Sequence, residues 1–322
     1  MRSAAVLYPG EMGCAVARVL VAAGWDVRTH LSGPSLVCRG AAEAAAIVTL
    51  GSLEEAVAAS DLVVSLVPPA AALETAEVLA GAARRSGRRP LCLDANSVAP
   101  ATMAAIAATL AGVGLDCVDG AFVGSAAELG GRTRLYLSGP RAGELAAALP
   151  QAFHTAELGA ELGAATAFKL AFAGFNKGLV ALFLEVMEAA GAAGDRGELL
   201  ACLRAFYPGT IETLERLLPS YPRHAARRAD ELDELARWLT SEGREGGGAA
   251  AARDVLRRFA ALGLDERRDW TLTEVLGAWA AAAAAPPAAA PPAADAAPPA
   301  TGPAAAPPAA AGPAPGDPAA QR

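Results

Sequence analysis

Between Ser3 and Pro140 short runs rich in leucine and β-branched residues alternate with longer alanine-rich amphipathic runs, and nothing else in the chain constrains its fold as strongly. The short runs predict strands at Ala4–Leu7, Asp26–Leu31, Ala46–Thr49, Asp61–Val67, Leu91–Asp94, Asp116–Asp119 and Arg134–Ser138. Helices fit between most of them, at Met12–Ala23, Leu53–Ala59, Ala71–Arg84 and Pro100–Ala111. Strands joined through helices pair in parallel by right-handed crossovers, with helices on both faces. The expectation for residues 1–158 is therefore an α/β domain with a doubly wound, mostly parallel sheet.

Beyond about Leu158 the pattern is helical throughout, beginning with a run from Ala165 to Ala190 that is long enough for roughly seven turns. Further helices are expected at Gly197–Ala205, Gly209–Leu217, Arg223–Leu239, Gly248–Leu262 and Thr271–Trp279, which makes residues 159–279 an all-helical second domain. Arg227, Arg228 and Arg237 read as a solvated helix face in preference to the alternative, an anion-binding one. Arg227 and Glu231 stand at bridging i,i+4 spacing, whereas Asp230 and Glu234 repel. Residues 280–322 are almost wholly Ala and Pro and hold 12 of the 23 prolines. Such a composition neither stays helical nor buries a core, so this tail is expected to be disordered.

The 27 Lys and Arg against 34 Asp and Glu leave a formal charge of -7, with no dense basic run to attract nucleic acid or an anionic membrane. Five cysteines and three histidines are scattered without metal-binding spacing. A reduced, cytoplasmic protein without a metal site is expected. The first apolar run is too short for a signal-peptide core, and the long run near Phe168 to Met187 is interrupted by Lys169, Lys177 and Glu185. No membrane segment is expected.

Chemistry is expected at the ends of the strands. The first runs into Tyr8-Pro9-Gly10-Glu11-Met12-Gly13, where Gly10 admits a pyrophosphate to the backbone, Gly13 lets the helix pack on the sheet, and the helix start offers amide donors. The first glycine of such a turn is Tyr8 here. Val67-Pro68-Pro69 and Asn96-Ser97 follow the fourth and fifth strands, where an open α/β sheet binds its ligand. Each segment taken alone is equally a plain turn or helix cap.

Together with Val118-Asp119-Gly120-Ala121-Phe122-Val123-Gly124-Ser125, Arg134-Leu135-Tyr136-Leu137-Ser138-Gly139-Pro140 and Gly163-Ala164-Ala165-Thr166-Ala167-Phe168-Lys169, these motifs stand in a recognisable order. The chain resembles the β-hydroxyacid dehydrogenase and 6-phosphogluconate dehydrogenase superfamily, in the branch with a phosphogluconate-dehydrogenase-like C-terminal domain. The resemblance implies a Rossmann-like domain that binds NADP or NAD through Gly10, Glu11, Met12, Gly13, Ser32, Val67, Pro68 and Asn96. It implies Lys169 as the catalytic general acid and base, with Gly124 and Ser125 on the substrate loop. It further implies a small-molecule substrate and a homodimer formed through the helical domain.

Departures from the family pattern bear on the substrate. Val123 replaces the loop serine, and the family asparagine after the lysine falls on Phe172 or Ala173. Asn176, two turns beyond Lys169, is the candidate replacement. After the second strand no acid follows Thr29-His30, while Ser32, Ser35 and Arg39 suit a 2′-phosphate, so NADP is expected ahead of NAD. The competing readings are an imine reductase of the same fold and a dinucleotide-binding protein without catalysis.

Overall fold

The computed structural model describes residues 2–30, 46–265, 267 and 269–284. Eight strands make one sheet: β1 (Ser3–Leu7), β2 (Asp26–Thr29), β3 (Val48–Thr49), β4 (Leu62–Ser65), β5 (Leu91–Asp94), β6 (Cys117–Val123), β7 (Arg134–Ser138) and β8 (Ala156–Glu157). They lie in the order β3-β2-β1-β4-β5-β6-β7-β8, every neighbouring pair parallel except β6 with β7. From β1 the chain winds outward through β2 and β3 and then returns to β4 on the other side. The switch in direction opens a crevice beyond the carboxyl ends of β1 and β4, where ligands of such sheets bind.

Strand alternation divides the core into two layers. Ala4, Val6, Leu62, Val64 and Leu93 face α1 (Glu11–Ala22), while Ala5, Leu7, Val63 and Cys92 face α2 (Leu53–Ala58), α3 (Ala72–Ser86) and α4 (Pro100–Ala111). A short α5 (Ala142–Ala148), which the sequence pattern did not mark, buries Ala142 and Leu145 in the first layer. Leu91–Asp94, Pro100–Ala111 and Arg134–Ser138 form as expected. The sixth strand runs four residues further than expected, to Val123, because β7 pairs with it antiparallel as far as Arg134.

The helical region consists of α6 (Ala164–Ala193), α7 (Arg196–Phe206), α8 (Pro208–Leu217), α9 (Tyr221–Ser241), α10 (Gly247–Ala260) and α11 (Leu272–Ala284). By length and composition alone α6 would pass for a membrane-crossing helix. Its buried residues instead meet protein: it packs on β6 and β7 and also on α9 and α10, with Val180, Leu184 and Met187 in the helical core. The last helix reaches Ala284, taking up most of the alanine run at 281–285. The remainder of the expected tail lies outside the described residues.

Candidate active site

Three loops and one helix converge on the crevice. Tyr8, at the end of β1, adopts φ 45°, the left-handed region that favours glycine. The backbone thus takes the turn that the family reserves for glycine, although the residue is tyrosine. A Cβ on Gly10 would meet nothing within 4 Å, whereas one on Gly13 would lie 3.3 Å from Pro9 Cβ and 3.4 Å from Val6 Cγ1. Gly10 leaves the approach open and Gly13 sets the helix close to the strand. No side chain caps the start of α1. That start is a suitable seat for a pyrophosphate, so the residues present fit a dinucleotide.

A cavity of about 570 Å³ continues from Met12 past Val67, Pro68 and Asn96 to Phe122 and Gly124. Asn96, which the resemblance implies as a cofactor-binding residue, has its side chain engaged within the protein. Its Oδ1 accepts the Val67 amide proton at 2.7 Å, and its Nδ2 donates to Ser65 Oγ at 3.0 Å and to Asp94 Oδ2 at 2.8 Å. It is a strut that ties the β4 and β5 loops together. Burial pushes the Asp94 carboxyl up to about 7, against the lowering effect of its bonds from Asn96. Of the turn, Met12 lines this cavity and Gly10, Glu11 and Gly13 do not, and Ser32 lies outside the described residues.

Lys169 projects from the second turn of α6, and the start of that helix is clamped to the sheet. Asp119 Oδ2 accepts from the Gly163 and Thr166 amides, both at 3.0 Å, and from Ser138 Oγ at 2.9 Å. Desolvation lowers the Lys169 amine to about 8, opposed by the attraction of Glu231 and assisted by repulsion from Lys177. Burial disfavours the charged form of an amine, and a value near neutrality suits proton transfer in either direction.

A second cavity of about 220 Å³ adjoins the first and shares Phe122, Gly124 and Lys169 with it. Phe172, Asn176, Lys177, Leu217, Tyr221 and Arg228 close its far side. Asn176 and Lys169 line this cavity together. Lys177 is buried; its Nζ pairs with Glu231 Oε2 at 2.7 Å and donates to the Ala173 carbonyl at 3.2 Å. Glu231 also pairs with Arg227, as expected. Glu234 is pushed up chiefly by burial, with Asp230 among the repelling charges.

The substrate loop differs from its expectation. Gly124 has φ 134°, and a Cβ there would overlap Thr133 Oγ1, so packing against Thr133, just before β7, demands this glycine. Ser125 turns away from both cavities and donates to Glu128 Oε2 at 3.0 Å. Arg228 departs from the solvated face on which the sequence put it: its guanidinium lies 4.0 Å over the Tyr221 ring and its Nη2 donates to Ser220 Oγ at 2.8 Å. Arg227 and Arg237 are exposed as expected. The signal that could have separated Arg228 from them is Tyr221, seven residues earlier and therefore on the same helix face.

Residues 5–149 match the family described as the NAD binding domain of 6-phosphogluconate dehydrogenase, and residues 190–259 match a domain of unknown function, DUF1932. None of the curated proteins matches the sequence. Among solved structures, the conserved protein MTH1747, described as similar to 3-hydroxyacid dehydrogenases, is 26% identical with a TM-score of 0.63, covering 82% of this chain and 100% of that one. The Mycobacterium tuberculosis 3-hydroxyisobutyrate dehydrogenase, solved with L-serine, is 20% identical with a TM-score of 0.69, covering 86% and 98%. An imine reductase variant from Myxococcus stipitatus, in complex with NAD+, is 18% identical with a TM-score of 0.57, also covering 86% and 98%. Sheet order, the open crevice and the matched residues agree: residues 5–149 are an NAD-binding domain of the 6-phosphogluconate dehydrogenase family, joined to a helical region built on a DUF1932 domain.

Proposed function

We propose that the protein is an NADP-dependent oxidoreductase acting on a carbonyl or hydroxyl group in a small acid. The observation that carries this reading is the place of Lys169, an amine near pKa 8 at the junction of a dinucleotide-sized groove and a smaller pocket. A bound nicotinamide supplies hydride for reduction and accepts it in oxidation. In the reducing direction the Lys169 ammonium donates its proton to the carbonyl oxygen, so one hydride and one proton convert C=O to CH–OH. In the reverse direction the neutral amine takes the hydroxyl proton. The buried Phe122 gives this end of the pocket an apolar wall, and the Asp119 clamp fixes the start of the helix that carries the lysine.

The preference for NADP rests on the sequence after β2, where no acid stands and Ser32, Ser35 and Arg39 follow. Calorimetric titration of NADPH and NADH, followed by a panel of keto and aldehyde acids, tests the proposal. NADPH binding with turnover that vanishes in Lys169→Met supports it. Folded protein that binds neither dinucleotide overturns it, and faster NADPH consumption with a cyclic imine than with every acid replaces it by an imine reductase. Phe168, Phe172, Phe175, Leu182 and Val186 follow helical spacing along one side of α6 and are exposed. A second copy covering this stripe would give the homodimer that the family resemblance implies, which sedimentation at micromolar concentration checks.

A further inference from the structure

The smaller cavity has an electrostatic character that the groove beside it lacks. Its lining carries three cations, Lys169, Lys177 and Arg228, and no carboxylate, whereas in the groove Lys169 and Arg227 are outnumbered by Asp230, Glu231 and Glu234. Lys177 is neutralised by Glu231, which Arg227 also holds. Arg228 has no such partner: among the described residues it forms no ion pair, and its Nη1 is buried without an acceptor. Burial lowers its pKa, which shows a cation held in a poorly solvated place. A buried guanidinium nitrogen with no acceptor is costly unless a ligand supplies one. Asn176, half-buried on α6, lines the same pocket and makes no hydrogen bond through its side chain among the described residues.

Resting on the oxidoreductase reading, we propose that Arg228, with Asn176 and Lys177, is the acid-binding end of the substrate pocket and takes a carboxylate several bonds from the carbon that exchanges hydride. This end replaces the substrate loop, whose Ser125 is turned away. The distance follows from the helix. The backbone of Asn176 lies seven residues, about 10 Å along the axis, beyond that of Lys169, which suits an acid set apart from the reacting carbon. Phe172, Leu217 and Tyr221 give the intervening part of the substrate an apolar and aromatic wall. A single carboxylate suits a site with one unmatched guanidinium edge and one amide; a guanidinium holds it through charge-assisted bonds.

The test is calorimetric titration of the full chain, with and without NADPH, using 3-phenylpropionate, its uncharged amide, 2-phenylethylphosphonate and acetate as probes. The expected result is that 3-phenylpropionate binds at least about tenfold tighter than the amide or acetate, a margin ordinary for a desolvated charged contact. Arg228→Gln should remove that margin and leave amide binding within about twofold of the wild type. Because Arg228 also packs on Tyr221, Asn176→Ala serves as a second variant and should weaken the acid alone. Equal binding of acid and amide by wild-type protein, or an unchanged margin in Arg228→Gln, overturns the proposal. So does tighter binding of the phosphonate or equal binding of acetate. NADPH binding and turnover without any preference for the acid defeats this subsite alone. An Arg228-dependent preference in protein that binds no dinucleotide keeps the subsite and defeats the oxidoreductase.

Discussion

Asp119 holds Thr166 at two points, Oδ1 accepting its hydroxyl proton at 2.6 Å and Oδ2 its amide proton at 3.0 Å, from 47 residues away in the chain. Ser138 reinforces the grip, donating to Asp119 and accepting the Ala165 amide proton at 3.0 Å. A carboxylate at a helix start satisfies amides that have no intrahelical partner and complements the dipole. Lys169 follows Thr166 by less than one turn, so the clamp positions the reacting amine relative to the sheet.

Removing the clamp should therefore be felt in both stability and rate. Asp119→Ala strands several buried donors and should cost about 3 kcal/mol or more in urea unfolding. Thr166→Val keeps the shape and removes one donor, at about 1–2 kcal/mol. The second variant should lower kcat while leaving the Kd for NADPH within about threefold, and an unchanged kcat would remove Asp119 and Thr166 from the positioning of Lys169.

The amine near pKa 8 sets the pH dependence. Reduction needs the ammonium, so kcat/KM should be level below about pH 8 and fall tenfold per unit above it. Oxidation needs the neutral amine and should fall below about pH 8 instead. Lys169→Met should lose at least about a hundredfold in both directions. A rate profile flat from pH 6 to pH 10 would exclude Lys169 as the proton donor.

Asp94 carries a different pH signature, written in stability. Its folded pKa of about 7 stands above the usual value near 4, so between those values the folded chain holds a proton that the unfolded chain releases. Its contribution to stability is consequently present below about pH 4 and is lost as pH rises toward 7. The full swing is on the order of 4 kcal/mol from such a shift. Urea titrations of wild type and Asp94→Asn should show their difference moving in favour of the variant across that window, and a constant difference would mean that burial leaves the carboxyl unperturbed.

The helical wall of the pocket depends on one close approach. A Cβ on Gly174 would overlap Leu235 Cδ2, so the Leu235 side chain of α9 fills the space that the glycine leaves on α6. Gly174→Ala should destabilise by about 1–3 kcal/mol through overpacking. It should also displace Glu231 and Arg228, both on α9. Combined with Leu235→Ala the loss should be smaller than the sum of the single losses, a coupling that independent sites would not show.

Much of the fold was legible because periodicity reports burial locally. The doubly wound sheet and the helices after residue 158 follow from alternation of apolar residues at periods of two and 3.6, and the pattern placed Pro100–Ala111 to the residue. What escaped depends on partners. The two-residue β8 has no pattern of its own and exists because Tyr136 and Leu137 pair with Ala156 and Glu157. The left-handed backbone at Tyr8 is equally illegible, since nothing in a tyrosine announces φ 45°.

The candidate site divides along the same line. Sequence by itself determined the turn around Gly10 and Gly13, the lysine at the head of a long helix, and Asn176 on the same face two turns later, because each is a matter of residue type and local spacing. Only the tertiary structure decided that Asn96 is occupied within the protein, that Ser125 bonds to Glu128, and that Arg228 buries one guanidinium nitrogen. The reason is physical: whether a polar group is free to act depends on which donors, acceptors and dielectric surround it, and those come from segments tens of residues distant. Val67 reaches Asn96 across 29 positions, and Asp119 reaches Thr166 across 47.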